Sequence, residues 1–264
     1  MKKICFDAGH YKDYNPSKVY PKYREGTRMW DLHLLVKGYL EENYKVEIIL
    51  TRSEIEKDKR LHDRGYLSKG CLGFYSFHSN ATDDTNVDRV VIIPGCNSKG
   101  VNDFAQELGV AIKKAIGIKG DTQIYRREHN NQDYYGVLRS SAQVGVNNRF
   151  IIEHGFHTNK HVAMWLNDVN NLKKLAKIEG DIIAKFHKLE RKNKPTPKMI
   201  KVIKDVNYRW KNDFSKDEYI KGVAKKGEVF TVVERVKSNT ITDMYRLKSG
   251  YYITTSSKYI EVYK

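Results

Sequence analysis

The sequence predicts an α/β fold, a three-layer sandwich around a mostly parallel central sheet, followed by a small all-β domain. Three observations carry this expectation. From residue 3 to residue 187, short apolar runs alternate with segments of helical period, the pattern of strands and helices feeding one parallel sheet. Residues 189–198 then hold two prolines, a dense charge run and almost no apolar side chain, so this stretch reads as a linker between domains 1–188 and 199–264. Beyond it, only short alternating patterns rich in β-branched and aromatic residues occur, as in a small barrel or sandwich.

The elements follow in order. Residues 3–8 form a short apolar strand. Residues 25–43 are helical, with Met29, Leu32, Leu35, Val36, Tyr39 and Leu40 on one face, the spacing of an amphipathic helix. Strands are expected over 46–51, 72–78, 87–93 and 150–153, and helices over 59–69, 99–116 and 171–187. In the second part, strands are expected over 200–206, 228–236, 244–248, 251–255 and 259–263.

Composition narrows the function. The 264 residues carry 48 Lys and Arg against 32 Asp and Glu, a net charge of +16, which calls for an anionic partner or serves solubility. The excess is spread over both parts, with 15 basic and 8 acidic residues in 198–264. No apolar run reaches the roughly 18 residues of a spanning helix, so membrane insertion is not expected. The start, Met1-Lys2-Lys3-Ile4-Cys5-Phe6-Asp7, has no apolar core of a secretory signal. Cys5, Cys71 and Cys96 form no Cys-x-x-Cys pair and read as buried thiols rather than a disulfide or zinc framework.

Functional groups of an α/β sheet gather at the carboxyl ends of its strands. There stand Asp7-Ala8-Gly9-His10, Phe77-His78-Ser79-Asn80 and Ile151-Ile152-Glu153-His154-Gly155-Phe156, with Glu25 opening the first long helix. Two imidazoles and one carboxylate suit a catalytic zinc; His10, Glu25 and His78 can supply them, and Glu153 can serve as the base that takes a proton from the attacking water. The cluster His154, His157 and His161 is the competing metal site, but it lacks the His-Glu-x-x-His pattern of two ligands on one helix. His33 reads as a packed or surface residue, and the cysteines lack a motif-level partner for a nucleophile. Arg52, Arg64 and Arg139 either bind substrate carboxylates or pair structurally.

These residues resemble the zinc-dependent N-acetylmuramoyl-L-alanine amidases of the amidase-3 type. The shared motifs are Asp7-Ala8-Gly9-His10, Glu25, Ser76-Phe77-His78-Ser79-Asn80 and Glu153-His154-Gly155-Phe156-His157-Thr158-Asn159, joined by Thr51-Arg52 and Leu61-x-x-Arg64. The resemblance covers residues 2–188. It implies a Zn2+ hydrolase that cuts between the lactyl group of muramic acid and the first L-alanine of the stem peptide, with His10, Glu25 and His78 as ligands and Glu153 as catalytic carboxylate. Asn80, His154, Arg52 and Arg64 are the residues expected to bind substrate, with His157 the alternative to His154 in the groove. Tyr11-Lys12-Asp13-Tyr14-Asn15 replaces a glycine-rich run, and Met29-Trp30 replaces an Asn-Leu pair.

The second part resembles bacterial SH3 domains, through Val206-Asn207-Tyr208-Arg209, Lys226-Gly227-Glu228-Val229 and Arg246-Leu247-Lys248-Ser249-Gly250-Tyr251-Tyr252-Ile253. Tyr208, Trp210, Tyr251 and Tyr252 are then either a wall-binding face or core aromatics. Together these features lead us to expect a peptidoglycan hydrolase of the phage endolysin kind, held in the host cytoplasm until a holin releases it to a Gram-positive wall, whose anionic polymers match the charge. An autolysin of the same chemistry, a zinc-free wall-binding protein and a basic nucleic-acid-binding protein are the rival readings. Nucleic acid is not the expected partner, because a phosphate-binding role would leave the His and Glu constellation unexplained.

Overall fold

The computed structural model describes residues 1–192, 196–240 and 242–263. The chain divides into two compact units, the first ending at Lys192.

The first unit is built on a six-stranded sheet. Its strands are β1 (Lys2–Ala8), β2 (Val46–Leu50), β3 (Gly73–Asn80), β4 (Val91–Pro94), β5 (Gln123–Ile124) and, after a small hairpin of β6 (Glu128–His129) and β7 (Gln132–Asp133), β8 (Asn148–Phe156). The order across the sheet is β2-β1-β3-β8-β4-β5. Strands β1, β2, β3 and β8 run parallel, whereas β4 runs antiparallel to β8 and carries β5 with it. The helices are α1 (Glu25–Asn43), α2 (Leu61–Tyr66), α3 (Asn102–Ile116), α4 (Gly136–Gln143), α5 (Lys160–Asn167) and α6 (Val169–Phe186).

Period-two alternation sorts the sheet into two cores. Ile4, Phe6, Tyr75, Phe77, Phe150 and Ile152 face α1, α3, α5 and α6. Cys5, Phe74, Val91, Ile93 and Ile151 face the other way, against Val137 and Leu138 of α4. Both faces are apolar and both are covered, which is why the strands read as nearly continuous hydrophobic runs.

Several elements depart from the sequence expectation. The helix over 59–69 is confined to α2, because Arg60 is extended and the carbonyl of Lys57 is held by Arg52 Nη1 at 3.1 Å. The strand expected from residue 87 begins at Val91. Helices α4 and α5 were not expected; both are eight residues long, and α4 opens on a glycine and carries two serines, so neither its length nor its propensity announces it. Residues 189–192, expected in the linker, are bound to the first unit. Glu190 O accepts from Lys45 N at 2.8 Å, Lys192 N donates to Asn43 O at 2.9 Å, and Arg191 bridges Tyr44. Residues 193–195 of that expected linker lie outside the described residues.

The second unit is a seven-stranded antiparallel sheet of β9 (Met199–Val202), β10 (Val206–Arg209), β11 (Ile220–Ala224), β12 (Val229–Val236), β13 (Met244–Leu247), β14 (Tyr252–Thr254) and β15 (Ile260–Tyr263), in the order β11-β10-β14-β13-β12-β9-β15. Its core is Ile200, Val202, Ala224, Val232, Tyr245, Leu247, Ile253 and Ile260. The strand expected over 200–206 breaks at a turn in which Asp205 Oδ1 accepts from Lys226 N at 2.8 Å and Oδ2 from Lys225 Nζ at 2.9 Å. No described helix is long and apolar enough to cross a membrane.

One buried charge ties the first unit together. Asp7, at the end of β1, accepts from Arg64 Nε at 2.7 Å and Nη2 at 2.8 Å, from Thr51 Oγ1 at 2.6 Å and from Ser76 Oγ at 2.6 Å. Burial by itself would raise this carboxyl, but the charge and hydrogen bonds of Arg64, with those of Ser76 and Thr51, override it and hold the value below the ordinary 3.8. A group of this kind stabilises the fold above its unfolded value, and that contribution is lost as pH falls through the folded value. Arg64→Met should leave Asp7 uncompensated and cost about 3–5 kcal/mol in urea unfolding at neutral pH. The deficit should shrink as the pH is lowered below about 4. A loss under about 1 kcal/mol would mean the pair is not the bolt described here.

Candidate active site

The Asp7 network positions the loop that follows it. Arg64 Nη2 also donates to Ala8 O at 2.7 Å, and Arg52 Nη2 donates to Ala8 O at 2.9 Å and to His10 O. Both arginines are more than nine-tenths buried. The groove-lining role expected of Arg52 and Arg64 is therefore corrected: their guanidiniums are committed to the interior, where they hold the carbonyls on either side of Gly9. Arg139 is likewise engaged, donating to Asp133 O at 2.8 Å.

Gly9 is glycine for a reason of space. A Cβ there would lie 2.3 Å from His78 Cε1, so the imidazole rests against bare backbone. His10 takes a left-handed φ of 58° and turns its ring toward that of His78, at 5.2 Å between centroids. Glu25 enters from the first turn of α1 and is 1% exposed. Its Oε1 lies 3.1 Å from His78 Nδ1 and its Oε2 lies 3.4 Å from His10 Nε2. The three donor atoms all fall within 4.8 Å of one another.

These separations can be tested against a metal. Ligands at about 2.0–2.1 Å in tetrahedral array stand about 3.3 Å apart, close to both Glu25–His distances. Glu25 is also kept ionised. Burial would raise its carboxyl, but the hydrogen bond and charge of His78, the charge of His10 and the backbone N–H of Ser79 together lower it. Two imidazoles and a charged carboxylate form a donor set that fits Zn2+.

Glu153 stands across the β3–β8 ladder from His78 as its register partner, so the two side chains share one face of the sheet. That face also carries Asp7 and Ser76, which pair in register on β1 and β3. Glu153 Oε2 is buried and has no hydrogen-bond partner. Burial pushes this carboxyl up to about 7, against the charge of His78. Just beyond it the register slips, so that Asn80 pairs with Phe156, a bulge of the kind that re-aims side chains beside functional sites. Gly155 absorbs it with a φ of +103°, and a Cβ there would lie 2.9 Å from Val162 Cγ1. Asn159, the last residue of the same motif, is the N-cap of α5 and accepts from His161 N and Val162 N.

The other expected groove residues divide. His154 is fully buried, which corrects its expected place in the groove: its Nε2 lies 2.9 Å from Glu179 Oε1 and its Nδ1 lies 2.8 Å from His78 O. Asn80 is partly exposed; its Oδ1 accepts from Ala81 N at 2.8 Å and its carbonyl from His157 N at 2.8 Å. His157 is buried, with Nδ1 4.0 Å from Glu25 Oε2 and 3.0 Å from Ser79 Oγ. His161 Nε2 donates to Ile116 O at 2.9 Å, at the end of α3. His33 is buried, and burial takes its imidazole down to about 4.

Sequence reasoning overlooked the supports of Glu25. Asn15 Nδ2 donates to Glu25 Oε2, and Tyr14 stacks on His10 at 4.8 Å. Both lie in the segment that departs from the usual glycine-rich run. The available signal was Asn15 itself, a residue type that tolerates the left-handed φ of 54° it adopts. In the second unit, Tyr208 contacts Tyr251 at 5.3 Å between ring centroids and packs partly on the core. Trp210 is 53% exposed, and Tyr252 is a partly buried register partner of Arg209 and Arg246.

Gly155→Ala should cost about 1–3 kcal/mol of stability through strain at a left-handed position and displace Glu153. Asn159→Ala should cost about 1 kcal/mol through loss of the cap and leave the bulge intact. Thermal unfolding of the two variants beside that of the parent checks both; an unchanged Gly155→Ala protein contradicts the bulge argument.

Comparison with known proteins bears on the fold and the family. Residues 4–185 match the family model described as N-acetylmuramoyl-L-alanine amidase. Residues 192–260 match a domain of unknown function, DUF5776, rather than the SH3 domains expected from the sequence. No curated protein matches the chain. Among solved structures, the catalytic domain of the amidase CwlV from Bacillus (Paenibacillus) polymyxa var. colistinus is 21% identical, with a TM-score of 0.60 over 72% of this chain and 100% of that one. An N-acetylmuramoyl-L-alanine amidase from Clostridium difficile 630 is 16% identical, with a TM-score of 0.60 over 71% and 97%. The amidase AmiC2 of Nostoc punctiforme is 18% identical, with a TM-score of 0.57 over 71% and 97%. At these identities the solved structures speak for the fold, and the family match speaks for membership: this chain belongs to the N-acetylmuramoyl-L-alanine amidase family.

Proposed function

We propose that the chain is a Zn2+-dependent hydrolase of the amide bond between N-acetylmuramic acid and L-alanine in peptidoglycan, with His10, Glu25 and His78 as the metal ligands and Glu153 as general base. The observation that carries this reading is the buried, unpartnered Glu153 Oε2 on the strand residue paired with His78, a member of the His-Glu-His donor set. A carboxylate without a hydrogen-bond partner in the interior is costly and is explained by a role in which its partner is a substrate proton.

Zinc held by three such ligands acidifies a water and polarises a carbonyl. The protein's own groups do the rest. Glu153 takes a proton from water as its oxygen adds to the muramyl carbonyl carbon, and returns it to the alanine nitrogen as the C–N bond breaks. The products are a lactyl carboxylate and a free alanine amine, so atoms balance without a covalent enzyme intermediate. Gly9, Ser79 N and Asn15 hold His78 and Glu25 in place meanwhile.

The finer biological reading is a phage endolysin acting on Gram-positive walls. It is supported by the pairing of an amidase unit with a separate all-β unit and by the net charge of +16, which attracts the chain to anionic wall polymers in a salt-dependent way. The second unit is the proposed wall-binding part, with Trp210, the Tyr208–Tyr251 pair and Tyr252 as the aromatics offered to the wall.

Purified cell walls should clear on addition of the protein, gaining alanine amino termini and no new reducing sugar ends. Removing zinc with a chelator should abolish clearing and restoring it should recover clearing. Glu153→Gln should keep stoichiometric zinc and lose at least about 100-fold in rate; full activity in that variant would overturn the base assignment. A base must begin deprotonated, and a dication beside Glu153 lowers its value below the 7 or so that burial gives it. The acid limb of kcat/KM should therefore fall below pH 7; a limb at or above pH 7 contradicts the assignment.

A further inference from the structure

A groove at the edge of the sheet holds one cation, Arg89, for which no hydrogen-bond or ion-pair partner is found among the described residues. Because β4 runs antiparallel to β8, the chain entering β4 lies at the sheet edge where β8 ends, and Val91 is the register partner of Glu153. Strand β5 starts at the same edge, with Gln123 paired to Val91. The two entering segments border a groove of about 620 Å3, lined by Asn86, Asp88, Arg89, Lys119, Asp121 and Gln123 among others. It is a built feature. Lys119 N donates to Asp88 Oδ2 at 2.9 Å, Gly120 N donates to Asp88 O at 3.0 Å, and a Cβ on Gly120 would lie 2.1 Å from that carbonyl.

Arg89 is partly buried. Its Cζ sits 5.8 Å from the centroid of the Phe156 ring, and its Nε is buried with no hydrogen-bond partner. No ion pair to it is found among the described residues. The contrast with other buried arginines of the same unit is sharp: Arg64 and Arg149 are bolted to Asp7 and Asp133, and Arg52 is spent on carbonyls. Of the groove's acids, Asp121 pairs with Lys113 at 3.2 Å, and Asp88 accepts from the Lys119 amide through Oδ2 while its Oδ1 is buried with no hydrogen-bond partner and makes no ion pair to Arg89 among the described residues. A guanidinium laid on an aromatic ring with its fork unspent is a carboxylate receptor waiting for its anion.

We propose that Arg89 binds a carboxylate of the stem peptide, that of the second residue after the muramyl group. This rests on the amidase reading and deepens it. One strand spacing across and two residues along puts Arg89 about 8 Å from Glu153, and two residues of extended peptide span about 7 Å. The residue that lies there can carry either a free carboxylate or a carboxamide. Arg89 then reads that difference: a carboxylate takes both arms of the fork, whereas a carboxamide brings no charge.

The test uses the full zinc-loaded chain and two soluble muramyl peptides that differ only in a carboxylate or a carboxamide at the second residue. For the parent, kcat/KM should favour the carboxylate by about tenfold or more, expressed in KM. Arg89→Met should collapse that ratio to near one through KM, and Arg89→Lys should keep part of it. Equal cleavage of both peptides by the parent, or a ratio unchanged in Arg89→Met, overturns the subsite while the amidase reading stands. A parent that, with zinc bound, frees the alanine amino terminus of neither peptide overturns the amidase reading and the subsite with it.

Discussion

The bond between Asp7 and Arg64 is the constraint on which the rest of the first unit hangs. Asp7 is fully buried near the end of β1, and its two oxygens receive four hydrogen bonds from three other residues. Such a carboxylate survives burial only if every lone pair is used and the charge is compensated. Meeting that requirement brings Thr51 after β2, Arg64 of α2 and Ser76 of β3 to one point. The same arginine then reaches past Asp7 to the Ala8 carbonyl, and Arg52 grips the carbonyls of Ala8 and His10. The chain between them has no freedom left, and it is that chain which presents His10.

From this anchor the site is assembled by close approach rather than by flexibility. Bare backbone at Gly9 admits the His78 ring, and Glu25 bridges the two imidazoles from a helix start, where a carboxylate is favoured by the dipole. Glu153 is held on a strand whose bulge at Gly155 is locked against Val162 of α5. His10, Glu25, His78 and Glu153 thus sit on strand ends and a helix start, with supports on other elements. The proposed hydrolysis calls for fixed placement of this kind.

Much of this was legible in the residues, and the reasons are specific. Continuous apolar runs with opposite parity exposed the two-sided sheet. His10, Glu25, His78 and Glu153 were legible because each closes or opens an element, where functional groups collect. The misread positions share a cause. Arg52, Arg64 and His154 carry charge or titrate, and sequence alone does not distinguish a charge that faces substrate from one that is consumed inside; only their partners, the Ala8 carbonyl, Asp7 and Glu179, decide it. Helices α4 and α5 were hidden because eight residues show too little periodicity, and α5 owes its start to the Asn159 cap more than to its pattern. The antiparallel turn of β4, which creates the groove at Arg89, leaves no local mark, since direction in a sheet is set by pairing and not by composition.

The proposed chemistry stands or falls on His10, Glu25 and His78 forming one zinc site beside Glu153. Anomalous scattering at the zinc edge from crystals of the zinc-loaded protein tests it most directly. One zinc per chain should appear between His10 Nε2, His78 Nδ1 and the Glu25 carboxylate, with Glu153 outside the coordination sphere. Zinc seated among His154, His157 and His161, or no zinc at the triad under saturating metal, would contradict it.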